Sequence, residues 1–211
     1  EYHKRGLLHI FYAEYMNEPI SDETRTFKRE WFQYYNPKDL DLERCSIYTA
    51  VDLAISEKDT ADYTAVVTVA VSPENHWFVL DCDYGRYDPF EQIEAIFRAV
   101  VKYRPLKVGI EKVAYQKALI HFLQKEMVKR NIFFEIVPLD AGKAKDLRIR
   151  ALQPRFQTRT IWFPISSGFL TELEDELLMF PRGKHDDLID ALAYIEQIAM
   201  PPVAYGRYDS F

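Results

Sequence analysis

The sequence predicts an α/β fold with a mixed sheet of five or more strands flanked by helices. Two observations support this class. Apolar, β-branched runs separated by short connections come first, which is typical of an antiparallel meander. Alternating strand and helix patterns follow, which indicates parallel strands joined by right-handed crossovers. The expected architecture is therefore a meander extended by parallel strands.

The predicted meander has three strands, at 46–54, 64–71 and 76–84, with a Pro-Glu-Asn turn before the third. A helix is then predicted at 88–103, because apolar residues recur at helical spacing after an Asp-Pro start.

The alternating part continues with a strand at 106–111, a helix at 116–130 and a strand at 133–139. A basic helix is predicted from about 145 to 156, followed by a short edge strand at 160–163 that ends at a proline.

Two helices, at 170–180 and 186–199, complete the predicted domain. We expect residues 1–45 to form an aromatic-rich arm, 46–200 one domain and 201–211 a tail. Because exposed aromatic side chains are costly, the arm is expected to pack on another surface.

The composition predicts a protein with one buried core and without a membrane span. With 211 residues, 48% of them hydrophobic, the chain can bury one core, and neither a membrane span nor a signal peptide is evident. We therefore expect a soluble, intracellular protein. Cys45 and Cys82 form no CxxC pair and are expected to be free and buried.

The formal net charge of −6 argues against a generic nucleic-acid binder, but the charge is unevenly distributed. Basic residues are concentrated between positions 143 and 159, so a local basic groove is one interpretation and a solvated helix face is the other. The residues concerned are Lys143, Lys145, Arg148, Arg150, Arg155 and Arg159.

Two single carboxylates are candidates for chemistry. Asp52 lies within an apolar strand, where an ionised carboxylate is expensive unless it is paired or binds a cation; capping of the following loop is the alternative. Glu111 ends the strand after the first helix, and ligand sites lie at the carboxyl ends of parallel strands. The alternative interpretation of Glu111 is a solvated side chain at the start of a loop.

The strongest local pattern is an Asp-Asp-x-x-Asp motif at Asp186, Asp187 and Asp190. On a helix these carboxylates project from neighbouring positions of the first turn. Helix capping would also favour acids there. However, the helix is apolar and packed, which brings repelling carboxylates against the sheet. Oxygen ligands without Cys or His suit Mg²⁺ or Mn²⁺, and two such ions would activate water for phosphodiester attack.

These motifs resemble the C-terminal nuclease domain of the large terminase subunit of tailed bacteriophages. The resemblance lies in six segments spread over the chain: Phe11 to Pro19, Ala50-Val51-Asp52, Asp62 to Ala65, Gly109-Ile110-Glu111, Lys145 to Arg150, and Phe180 to Leu192. It implies a ribonuclease H-like fold and a two-metal endonuclease that cuts concatemeric double-stranded viral DNA during genome packaging.

The resemblance also implies roles for individual residues and partners. Asp52 would bridge two Mg²⁺ or Mn²⁺ ions, Glu111 and Asp187 would complete the ligand set, and Asp186 or Asp190 could add to it. His185 would support the site or transfer a proton, unless it is purely structural. Expected partners are double-stranded DNA, an ATPase motor domain, the portal protein and the small terminase subunit, in the host bacterial cytoplasm.

One feature of whole large terminases is missing, because these 211 residues contain no Gly-x-x-x-x-Gly-Lys-Ser/Thr phosphate loop. We therefore expect no ATPase activity from this chain. Two alternatives share the acidic motifs: a Holliday-junction resolvase or recombinase-like nuclease, and a catalytically inert scaffold of the same fold.

Overall fold

The fold is organised around one mixed sheet, seen in a computed structural model that describes residues 25–54, 63–112, 116–142 and 144–202. Its seven strands cross the sheet in the order β1-β7-β4-β3-β2-β5-β6. In chain order they are β1 (Gln33–Tyr35), β2 (Ser46–Asp52), β3 (Thr64–Val71), β4 (Trp77–Gly85), β5 (Lys107–Glu111), β6 (Ile136–Leu139) and β7 (Ile161–Pro164). β2, β3 and β4 pair antiparallel, and the other neighbours pair parallel.

Helices cover both faces of this sheet. They are α1 (Pro89–Tyr103), α2 (Gln116–Arg130), α3 (Lys145–Arg150), α4 (Gln153–Gln157), α5 (Leu170–Met179) and α6 (Asp187–Tyr194). One core cluster lies under α1 and α2, and the other under α4, α5 and α6. Successive residues of β2 enter opposite clusters, since Ala50 belongs to one and Val51 to the other. This double burial explains why the central strands are continuously apolar.

The predicted fold class is confirmed, as are the meander and the parallel strands that follow it. The predicted edge position of the strand at 160–163 is wrong, because β7 lies between β4 and β1. The strand β1 has only three residues, too few for an alternation that sequence can reveal.

Two helix predictions differ from the structure in length. The basic helix is divided into α3 and α4, and Pro154 lies in the first turn of α4, where a missing N–H is tolerated. The last helix ends at Tyr194 and continues as the 3-10 turn Ile195–Gln197.

The described part of the arm packs against the domain. Phe27 and Phe32 are buried in the core cluster of α4, α5 and α6, and their rings contact Phe156. Residues 25–45 therefore pack into the same unit as the strands and helices that follow them. The linker role of residues 1–24 lies outside the described residues, as does the tail from residue 203.

The two cysteines are both free, as predicted, but only Cys82 is buried; Cys45 is partly exposed. Within the part of the chain that the structure describes, no helix has both the length and the apolar character needed to cross a membrane.

Gly109 in β5 offers a test of the side-chain packing between the neighbouring strands β5 and β6. A Cβ at this position would lie 2.6 Å from Cδ2 of the buried Leu139. Gly109→Ala is therefore expected to lower the free energy of unfolding by about 1–3 kcal/mol, measured by chemical denaturation. Gly168→Ala is the matched control, because a Cβ there meets no atom within 4 Å. Equal stability of the two variants would contradict this account.

Candidate metal centre

Five predicted acids lie around one edge of the sheet. Asp52 ends β2 and Glu111 ends β5, and these parallel strands are paired through Val51 and Ile110, so both carboxylates lie at the same edge. The first turn of α6, which begins at Asp187, packs against β2 and β3. The sheet register and this helix contact therefore bring the predicted residues together.

The ammonium group of Lys145 lies among four of these acids. Its Nζ is 2.8 Å from Oδ1 of both Asp186 and Asp187, 3.7 Å from Oδ2 of Asp52 and 3.8 Å from Oδ2 of Asp190. Burial alone would lower the pKa of Lys145, but these carboxylates raise it. The four acids thus converge on one positive charge.

The carboxylate of Asp52 also lies beside that of Glu111. Burial, with the carboxylates of Asp190 and Glu111, raises the pKa of Asp52 well above its usual value, while Lys145 acts in the opposite direction. Glu111 Oε1 also accepts a 2.6 Å hydrogen bond from the Tyr194 hydroxyl. Two carboxyl groups in such contact need a shared proton or a cation to offset their repulsion.

Asp190 has a separate partner in Arg148. The guanidinium donates two 2.6 Å hydrogen bonds, one to each carboxylate oxygen, and it lies 4.0 Å from the Tyr194 ring centroid. Burial lowers the pKa of Arg148, but the bidentate bond to Asp190 more than offsets this effect. Both side chains are buried, so Asp190 has its charge neutralised inside the protein.

Asp187 is also held by groups that come from outside α6. The backbone N–H of Tyr63 donates to Asp187 Oδ2 at 3.2 Å, and His185 Nδ1 lies 4.0 Å from the same oxygen. The rings of His185 and Tyr63 are packed edge to face, with centroids 4.8 Å apart. His185 therefore lies beside the acidic cluster, and its role stays a prediction.

Sequence reasoning missed Glu176, which projects from α5. Its Oε2 accepts a 3.1 Å hydrogen bond from the backbone N–H of Ile189 in the first turn of α6. Burial raises the pKa of Glu176 to about 8, with smaller contributions from Asp187 and Asp186. No local motif marks a contact made between two helices; the only signal was a carboxylate beside the apolar positions of α5.

The predicted DNA-binding residues differ in burial and in their ion-pair partners. Lys145 points into the acidic cluster, and the burial of Arg148 against Asp190 speaks against direct contact with a phosphate. Arg150 and Arg155 each form an ion pair with a carboxylate. Lys143 lies outside the described residues. DNA binding by this set therefore stays a prediction.

The donor chemistry of the cluster fits a hard divalent cation. Among the described residues, the groups that converge on the Lys145 ammonium are carboxylate oxygens, which are the ligand type that such cations prefer. Within the described residues, no three acidic, imidazole or thiol groups are already arranged around one ion position. The ammonium of Lys145 takes the central place among these carboxylates, so a cation binding there would have to displace it.

The mixed sheet, its helices and the acids at the strand ends define a nuclease of the ribonuclease H-like class. The chain belongs to the terminase ribonuclease H-like domain family, whose sequence pattern matches residues 49–197. Membership of this family favours a terminase domain over the resolvase alternative. No individual curated protein matches the chain.

Solved structures agree on the fold. The large terminase nuclease of thermophilic phage G20c with bound cobalt aligns with a TM-score of 0.61 and 12% identity, over 85% of this chain and 99% of that chain. The human cytomegalovirus terminase nuclease domain aligns with a TM-score of 0.55 and 13% identity, over 80% of this chain and 90% of that chain. The nuclease domain of the large terminase subunit of bacterial virus Sf6 aligns with a TM-score of 0.55 and 13% identity, over 85% of this chain and 100% of that chain.

The buried pair of Arg148 and Asp190 should contribute strongly to stability. Arg148→Met is expected to lower the free energy of unfolding by about 3 kcal/mol, because it leaves the Asp190 carboxylate buried without its bidentate partner. Chemical denaturation at neutral pH measures this loss. Arg98→Met is the matched control, since Arg98 pairs with Asp83 at an exposed site and should cost under about 1 kcal/mol. Equal losses in both variants would contradict the argument.

Proposed function

We propose that this chain hydrolyses phosphodiester bonds of double-stranded DNA with the help of divalent cations, Mg²⁺ or Mn²⁺, and that two ions act at the site. The observation that carries the proposal is the convergence of Asp52, Asp186, Asp187 and Asp190 on the single ammonium of Lys145. So much negative charge at one edge of a sheet destabilises the fold unless a cation offsets it.

The proposed ligands are the carboxylates of Asp52, Glu111 and Asp187, with Asp52 shared between the ions. Cations bound there would activate a water molecule and stabilise the leaving oxygen of the cleaved strand. Asp186 is the fourth candidate ligand, because its carboxylate already faces a cation. Asp190 supports the site through Arg148, since that pairing occupies both of its oxygens.

The surrounding residues hold these ligands in place. The Tyr194 hydroxyl orients Glu111, and the Tyr63 backbone N–H orients Asp187. Metal ions occur in related nucleases: structures of the phage G20c protein contain zinc, magnesium or cobalt, and one of the Sf6 protein contains manganese. We propose the same class of cofactor for this chain.

The wider setting follows from the family. We propose that the domain acts on viral DNA in the host bacterial cytoplasm, together with an ATPase motor domain, the portal protein and the small terminase subunit. The acidic cluster and the family assignment support the nuclease part of this proposal. The assembly with the other packaging components is supported by the family assignment alone.

Removing one proposed ligand should abolish cleavage. Asp52→Asn and Asp187→Asn are each expected to slow nicking of supercoiled plasmid in Mn²⁺ by about a thousandfold, because loss of a carboxylate weakens cation binding. EDTA should have the same effect on the unmodified chain. Asp83→Asn is the matched control: Asp83 lies in an exposed ion pair with Arg98 and should cleave at the normal rate.

Stability measurements separate a lost ligand from a lost fold. In EDTA, Asp52→Asn is expected to unfold at a higher temperature than the unmodified chain at pH 8. The pKa of Asp52 is raised in the folded state, so its ionisation costs stability as the pH rises, and Asn removes this cost. Cleavage by Asp52→Asn at the normal rate would refute the proposal. A strong preference for branched junctions over linear duplex would instead favour a resolvase.

A further inference from the structure

Arg86 lies beside the metal centre on an aromatic surface. It follows the last residue of β4, and Tyr63 precedes the first residue of β3; the pairing of Thr64 with Gly85 places them opposite each other. The guanidinium carbon of Arg86 is 5.6 Å from the Tyr63 ring centroid. We call Arg86, Tyr63 and His185 the Tyr63 shelf. The shelf adjoins Asp187, to which the Tyr63 N–H donates.

The charge of Arg86 is not neutralised by the part of the protein that the structure describes. Its side chain is exposed, and among the described residues no carboxylate forms an ion pair with it. Other arginines close to the sheet are paired: Arg98 with Asp83, Arg130 with Glu94 and Arg148 with Asp190. A planar guanidinium that is held against a ring and has no carboxylate partner among the described residues is suited to a phosphate.

The position of Arg86 also matches the direction from which DNA must approach. The site carries a concentration of negative charge, so an incoming duplex needs a positive contact near the cleaved bond. The pairing of Asp52 with Ala65 and of Thr64 with Gly85 places the end of β4 at the same edge of the sheet as Asp52. Arg86 is therefore at the rim of the metal centre.

We propose that Arg86 binds a DNA phosphate next to the one that is cleaved, with Tyr63 and His185 as the platform that orients its guanidinium. This rests on the proposed nuclease function and adds a DNA contact to it. Cation–π contact with Tyr63 restricts the side chain before DNA binds, which lowers the ordering cost of the phosphate contact.

The test compares Arg86→Gln with Arg98→Gln, whose arginine is already paired. Binding of a duplex is measured by fluorescence anisotropy at several salt concentrations in the Asp52→Asn background, and cleavage kinetics in the otherwise unmodified chain. Arg86→Gln is expected to weaken binding about tenfold and to reduce the salt slope by about one. It should raise KM with little effect on kcat, and Arg86→Lys should restore part of the affinity. Arg98→Gln should change none of these quantities.

The outcomes are distinguishable. If the unmodified chain cleaves DNA but Arg86→Gln has the same KM and salt slope as Arg98→Gln, the Arg86 proposal is overturned and the nuclease function stands. If the unmodified chain does not cleave in Mn²⁺, the proposed function itself fails. A thermal shift on adding Mn²⁺ that is the same in Arg86→Gln and the unmodified chain would confirm that the variant acts on DNA and not on the cation.

A second, independent observation concerns the cap of α6. Asp186 occupies the N-cap position, but its side chain makes no capping hydrogen bond. Instead, Glu176 of α5 accepts the N–H of Ile189 at 3.1 Å. If Asp186 capped its own helix, its carboxylate would turn towards the free backbone N–H groups in the first turn of α6. Because Glu176 takes that role, Asp186 faces Lys145 at 2.8 Å.

We infer that Glu176 is a positioning residue for the metal centre, acting through the first turn of α6, where Asp186 and Asp187 are the proposed ligands. It supplies the cap from another helix, so that acids of this turn remain available for cations. This inference also rests on the proposed function, and it predicts a change in the cation requirement rather than in DNA affinity.

The test measures the Mn²⁺ concentration that gives half-maximal cleavage. Glu176→Ala is expected to raise it about fivefold to tenfold with little change in KM for DNA, and the conservative Glu176→Gln should restore it, because the amide oxygen still accepts the N–H. Glu174→Ala is the control on the same helix. Glu174 bonds Arg29 and Tyr34, so its loss should lower the unfolding temperature without changing the Mn²⁺ requirement.

Equal Mn²⁺ requirements in Glu176→Ala and Glu174→Ala would overturn the inference, since both variants would then act through stability alone. Glu176→Asp provides a second variant if the alanine variant does not fold. Its shorter side chain should draw back from the N–H of Ile189 and raise the Mn²⁺ requirement in the same direction. Failure of all variants and of the unmodified chain to cleave would count against the proposed function instead.

Discussion

The fold has to accommodate several carboxylates at one edge of its sheet, and much of the surrounding structure serves that constraint. Asp52, Asp187 and Asp190 are all buried, so their mutual repulsion is poorly screened by water. Lys145 offsets four acids at once, and Arg148 neutralises Asp190. Such an arrangement costs stability and is retained where the charge has a use.

The sheet topology creates this concentration of charge. Because β2 and β5 are parallel, their last residues, Asp52 and Glu111, reach the same edge. The antiparallel partner β3 starts at that edge, so Tyr63 arrives there too and holds Asp187 by its backbone N–H. The helix α6 packs across β2 and β3 and adds its acids. Segments far apart in the chain thus meet because of strand direction and order.

Strand ends and the Asp-Asp-x-x-Asp motif are local patterns, so Asp52, Glu111 and the acids of α6 could be predicted as candidates from sequence. The partners of these acids could not be. Arg148 belongs to a basic run that the sequence predicts to face DNA, with a solvated helix face as the alternative, whereas the structure buries it against Asp190. Glu176 acts between two helices, and β1 is too short for a pattern. Long-range pairing decides each of these cases.

The basic residues near the site therefore differ in the partner that each positive charge already has. Arg148 is committed to a buried carboxylate, and losing that partner would leave an uncompensated charge on either side. Lys145 is held by acids that we propose as cation ligands, so a cation bound there would have to displace its ammonium. Arg86 has only an aromatic ring as its partner among the described residues. A phosphate could thus bind Arg86 without breaking an ion pair among the described residues, whereas binding Arg148 would break its pairing with Asp190.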